Sequence, residues 1–242
     1  MRFPPWLLTL LRAAMVVALA LGSAAIAVAS LVYFGEELAP FVLEKLPLPL
    51  EDVWMLALRA HVVAAVICLP ACLLLFSTAV VRRAPRLHRW LGRVTGVLVL
   101  LALVPSGFYL SLFAKGGLPS TLGFMLSGII TAVAMVQGVR TARARRFVEH
   151  RRWALHVLGQ LSVAVVSRAM LFAFDAAGVE EELAYLVSLW LPVVGSLVLV
   201  ELVTRRPKLA IRRNRTHEAL LDARPLRLRD LRPDAARVAR GG

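Results

Sequence analysis

The sequence predicts an all-α fold, a bundle of six transmembrane helices with both termini in the cytoplasm. Three observations carry that expectation. The first is composition: 59% of the 242 residues are hydrophobic, only 18% are charged and mean hydropathy is +0.73, more apolar surface than one water-soluble domain of this size buries. The second is a set of six apolar stretches, each long enough to satisfy its own backbone across a hydrocarbon core roughly 30 Å thick. The third is a separation of charge between alternate loops.

The first stretch runs from Ala13 to Phe34. Arg2 and Arg12 precede it and Ala27-Val28-Ala29 has the small-residue pattern of a signal-peptide cleavage site, but the run stays apolar through Phe34, which favours a retained span. The second runs from Val53 to Val81, the third from Val94 to Phe113, and the fourth, the shortest, from Thr121 to Gln137. The fifth covers Trp153 to Phe174 and the sixth Leu183 to Thr204. Pro70, Pro105 and Pro192 fall within spans and are read as kinks.

The loops set the orientation. Arg82, Arg83, Arg86, Arg89 and Arg93 follow span two without an acid, and Arg140, Arg143, Arg145, Arg146, Arg151 and Arg152 follow span four against Glu149 alone. The opposite loops carry Glu36, Glu37, Glu44, Glu51 and Asp52 against Lys45, then Lys115, then Asp175 and Glu180 to Glu182. The arginine loops are therefore expected in the cytoplasm, as in a bacterial inner membrane protein. Most of the +14 net charge is topology, so nucleic-acid binding is not the expected use of it. Two domains follow: residues 1–204 as the membrane domain and 205–242 as a basic cytoplasmic tail. The tail holds twelve basic residues against four acids and has prolines at 207, 225 and 233, a composition expected to be disordered and to bind anionic lipids.

Polar groups within spans are the functional candidates. At about 1.5 Å per residue, Arg168 stands roughly 24 Å beyond Arg152 and His61 roughly 32 Å beyond Arg82, which puts both in the outer layer with Arg59 and Asp175. There Arg168 either snorkels outward to pair with Asp175 or the acidic loops, or it contacts a ligand such as a quinone head group or a propionate. His88 and His150 each sit in a His-Arg-Trp cluster before a span, and His156 lies deeper with Gln160 one turn above it on the same face. Interfacial anchoring is the plain account of His88, His150 and His156. The sharper reading is that His88 with His150, or His88 with His156, ligates a single haem b, or that the histidine layers hold a quinone. Only His61 lies in the outer half, so a two-haem relay is not encoded. Cys68 and Cys72 flank Pro70 at a spacing that suits packing, Gly92 and Gly96 form a close-approach pattern, and Glu201 can pair with Arg205 or Arg206. No metal site and no common enzyme motif is present in the sequence.

The run comprising His61, Leu87-His88-Arg89-Trp90-Leu91-Gly92-Arg93, Leu122-Gly123-Phe124, His150-Arg151-Arg152-Trp153 and Arg168 resembles the bacterial membrane-protein family called domain of unknown function 2306, over roughly residues 55–175. The resemblance implies a four-helix core with flanking spans, with His61, His88, His150 and Arg168 at the family's polar positions. This chain departs from the family pattern at Ala154, Leu155 and His156, where Met, Ile and Arg are usual, and at Thr95, where Tyr is usual. The expected function is therefore a membrane redox component that binds one haem b or a quinone. The alternatives are a non-catalytic protein acting through helix packing or through partner and lipid contacts, and then a small-molecule transporter. Ligand, partner and oligomeric state are not legible in the residues.

Overall fold

The computed structural model describes residues 4–35, 40–43, 45–48 and 50–222. Glu36, Glu37 and Glu44 of the first acidic loop lie outside them, as do tail residues 223–242. The described residues form helices and no strand. Helix α1 (Pro5–Ala29) ends in a 3-10 segment, Ser30–Phe34, and a single turn, α2 (Pro40–Leu43), precedes α3 (Glu51–Leu75). A short α4 (Thr78–Arg83) leads to α5 (Pro85–Leu98), which passes through a π-helical segment, Val99–Leu103, into α6 (Val104–Ser111). Then come α7 (Gly117–Arg143), α8 (Phe147–Ala176) and α9 (Glu181–Asp222). Six helical stretches are long and apolar enough to cross a membrane, as the sequence predicts.

Several boundaries differ from the hydropathy reading. The second span stops at Leu75, where the chain breaks at Ser77 before α4, so Val81 is not part of it. The third helix begins nine residues before Val94, at Pro85, because proline suits a helix's first position and arginine is a good helix former that hydropathy scores as loop. The fourth helix, at 27 residues, is not short for the same reason: it continues past Gln137 to Arg143. Pro105 is accommodated by the π segment, which widens the turn its ring would otherwise crowd.

Contacts divide the chain after Val200. The first unit, residues 1–200, is the bundle. The second begins at Glu201, and its described part, to Asp222, is helix where the sequence reading ends the span at Thr204; an established helix propagates readily into a run such as Lys208, Leu209 and Ala210. The proposed pairing of Glu201 with Arg205 or Arg206 concerns side chains outside those described.

The bundle is apolar on its outside and carries polar groups within an otherwise apolar core. Leu21, Leu56, Leu101, Phe172 and Leu199 are each at least 60% exposed, on five different spans, while Thr95, Ser120, Thr131, His156, Gln160 and Ser188 are buried. A soluble protein does not present that much contiguous apolar surface, whereas a bilayer solvates it. The outward faces therefore contact lipid acyl chains.

Alternate loops gather at opposite ends. Lys45 Nζ donates to the Phe113 carbonyl at 2.7 Å, and Lys115 pairs with Glu181, which joins three loops at an acidic end. The arginine loops meet at the other. The turns between helices are set by their caps: the α8–α9 turn has Gly178 in the left-handed region (φ 67°), with Val179 N–H on the Phe174 carbonyl. The α7–α8 turn repeats this geometry with Arg145 (φ 57°) and Arg146 N–H on the Thr141 carbonyl.

Candidate functional site

The tight α7–α8 turn returns the chain so that the first turn of α8 faces the last turns of α7. His150 Nδ1 lies 2.9 Å from the Gly138 carbonyl. A carbonyl only accepts, so Nδ1 carries a proton, which in the neutral ring leaves Nε2 as the acceptor nitrogen. Gly138 has no side chain to hold α8 away; a Cβ there would already stand 3.7 Å from Trp153 Cβ. On α5, His88 sits one turn from Pro85, so the early start of that helix makes it a helical residue, within Coulombic reach of His150 and of Arg89. Its Nδ1 is buried and has no hydrogen-bond partner. The structure thus puts His88 and His150 within electrostatic range of each other at the arginine end.

His156 lies deeper, 3% exposed, with its ring packed on Trp153 at 5.7 Å, while Arg152 stacks on the other side chain of that pair, 5.5 Å from the Trp153 ring. One turn further along α8 is Gln160, whose connections are not visible in sequence. Its Oε1 accepts from Ser127 Oγ on α7 at 2.8 Å, and its Nε2 donates to the Val193 carbonyl at 3.1 Å and to Ser196 Oγ at 3.0 Å on α9. Gln160 therefore ties three helices together in mid-membrane. A lone glutamine on the inward face of an apolar run was the available signal.

Towards the acidic end, His61 of α3 meets the π segment. Its Nδ1 lies 3.1 Å from both the Leu103 carbonyl and Ser106 Oγ, and Ser106 Oγ donates onward to the Ala102 carbonyl. Both side chains supply donors to carbonyls of the widened turn. Gly107 leaves room for the ring, since a Cβ there would sit 3.1 Å from His61 Cε1. Arg168 is within Coulombic reach of His61 and of Tyr185. It does not pair with Asp175: the exposed guanidinium turns back one turn to the Ala164 carbonyl at 3.0 Å. Seven residues of helix separate Arg168 from Asp175, more than one long side chain closes when a carbonyl lies four residues away. Arg59 donates to the Tyr33 carbonyl and stacks on Phe34, 6.0 Å from the ring centroid, which fastens α1 to α3. Cys68 and Cys72 are buried free thiols.

Among the described residues, two cavities lie away from the histidines. One, of about 410 Å³, is an apolar groove between α1 and α8 lined by residues such as Met15, Leu19, Val165 and Met170. The other, of about 310 Å³, opens at the acidic end beside Lys115 and Tyr185.

Six apolar spans and an outward-facing aliphatic surface define a multi-pass α-helical membrane protein. More particularly, the chain matches the family described as predicted membrane protein (DUF2306) over residues 58–204, more than half its length, and it belongs to that family. No curated protein and no solved structure matches the chain.

Proposed function

We propose that the protein binds the head group of a lipophilic quinone between His88 and His150, as a component of a membrane redox system. The observation that carries this reading is the complementary state of the two imidazoles. His150 is held with its Nε2 lone pair uncommitted, an acceptor for a quinol hydroxyl, and His88 keeps a buried, unmatched Nδ1 that suits a quinone carbonyl. Arg89 stands beside the pair. A single haem b is the second ligand those donors suit. It requires the two imidazoles on opposite faces of a macrocycle, a stricter geometry than a quinone head group asks of two hydrogen-bonding imidazoles. His61 and Arg168 form a second polar layer at the acidic end, with the same class of head group as its ligand. The proposed orientation puts the arginine end in the cytoplasm of a bacterial inner membrane, with its arginines and the basic segment 205–242 against anionic lipid headgroups.

The alternative is a non-catalytic protein that acts through helix packing and lipid contacts, and the Gln160 node favours it. An oxidised-minus-reduced spectrum together with quinone extraction from the detergent-purified protein separates these readings. About one quinone per chain, lost in both His88→Ala and His150→Ala while each variant remains folded, supports the proposal. A Soret band that sharpens on reduction supports haem, and neither ligand at full protein occupancy refutes both.

A further inference from the structure

Near the acidic end, α7 and α9 are pinned side by side at two points. A Cβ on Gly116, which is itself in the left-handed region (φ 82°), would stand 3.7 Å from the Tyr185 ring, and one on Gly123 would stand 2.8 Å from Leu189. Between these two contacts lie Ser120 on α7 and Ser188 on α9, 0% and 1% exposed. Neither hydroxyl has a hydrogen-bond partner. A buried hydroxyl left unmatched is costly, and two at one level of one seam point to something that matches them. Ser188 contributes a third group: Pro192, four residues on, has no N–H for the Ser188 carbonyl. Two hydroxyls and a carbonyl are the set of partners a buried water uses.

The surroundings provide an entrance and an end to the path. Gly116 and Tyr185 also line the 310 Å³ cavity at the acidic end, and Ser120 Oγ lies 2.7 Å from the position of a Gly116 Cβ. Gly116, without a side chain, thus adjoins both that hydroxyl and the cavity. One turn beyond Gly123, Ser127 begins the Gln160 node, whose amide is fully engaged with Ser127, Val193 and Ser196. Beyond the node the α7 face turns apolar at Ala134 and Met135, both in the main core.

We propose that the α7–α9 seam binds internal water, admitted from the acidic-end cavity past Gly116 and held by Ser120 and Ser188, and that this hydrated path ends at Gln160. The ligand class is water, and the path gives solvent access to the middle of the bundle from one side only.

The test uses the full chain in detergent. In a Cys68→Ala, Cys72→Ala background, single variants Ser120→Cys, Ser188→Cys and Ala134→Cys are exposed to silver ion, a thiol reagent close to water in size, and unreacted thiol is read by later alkylation and mass spectrometry. A hydrated seam gives reaction at positions 120 and 188 about tenfold or more faster than at 134, which reacts only through local opening. Equal slow rates at all three overturn the proposal. A second measurement keeps the test independent of those variants folding. In the native cysteine background, Ser120→Ala and Ser188→Ala lower the Tm if each removes a partner of bound water, whereas a rise or no change marks a dry seam and overturns the proposal.

Discussion

Replacing Gln160 with leucine isolates what a mid-membrane polar node contributes to a bundle whose helices gain nothing from burying apolar surface against one another rather than against lipid. The substitution removes three interhelical hydrogen bonds, of 2.8, 3.1 and 3.0 Å, and keeps the side-chain volume, so no cavity term enters. Interhelical hydrogen bonds in membranes average about 0.6 kcal/mol each, which sums to about 2 kcal/mol. Part of that returns. Ser196 Oγ already donates to the Val193 carbonyl at 3.1 Å and stays satisfied, and Ser127 can turn to a carbonyl of its own helix. The net loss is therefore about 1–2 kcal/mol, equivalent to a fall in Tm of roughly 3–6 °C for a chain of this size. The assay is built into the protein: Cys68 and Cys72 are buried thiols on α3, so a maleimide dye that fluoresces on reaction reports unfolding during a thermal ramp. Ser162→Ala is the control on the same helix, because Ser162 Oγ bonds only within α8, to the Leu158 carbonyl, and its loss leaves the Tm in place. A Gln160→Leu variant as stable as the wild type would refute the view that this node holds α7, α8 and α9 together.

Other outcomes follow from the same geometry. Arg145→Gly relieves the left-handed strain of the α7–α8 cap and raises stability by about 0.5–1 kcal/mol, with a higher Tm as the reading. Gly123→Val drives a side chain into Leu189 and Trp190, costs about 1–3 kcal/mol and lowers the Tm by the same assay. Glu180 accepts from the amides of Glu182 and Leu183 at the start of α9, and those N–H groups hold its carboxyl below the usual range. Its capping contribution is then fully present above the unfolded carboxylate pKa and is lost as pH falls through the lowered folded value. The Tm gap between wild type and Glu180→Ala therefore exists at neutral pH and closes in acid; a gap that persists in acid contradicts the cap. Lys45→Met frees the loop between α1 and α3 from the Phe113 carbonyl, and limited proteolysis at residues 45–50 should accelerate while the spans stay intact.

What could be read in the residues was what depends on single segments. Apolar length gave six spans, and the arginines of 82–93 and 140–152 marked chain segments that do gather at one end, where His88 and His150 come within Coulombic reach. The start of α5 at Pro85 was hidden because hydropathy treats Arg86, Arg89 and Arg93 as loop, although arginine's long stem suits a helix at a membrane interface. Relations between segments were not legible. Gln160 was visible as a candidate beside His156, but its partners Ser127 and Ser196 depend on helix order, which no periodicity encodes. The same holds for His61: its seat on the π segment needs Pro105, Ser106 and Gly107 from another helix. The pairing of Arg168 with Asp175 failed for a local reason, the nearer carbonyl of Ala164.

Binding of a short-chain quinone tests the histidine pair most directly. Trp90 and Trp153 flank His88 and His150 in sequence, so a ubiquinone analogue titrated into the purified protein is read by quenching of tryptophan fluorescence. Quenching that saturates near one quinone per chain in the wild type, and becomes linear partitioning in both His88→Ala and His150→Ala, is the expected result. Linear quenching in the wild type, or saturation that survives both substitutions, would contradict a head-group site between those two histidines.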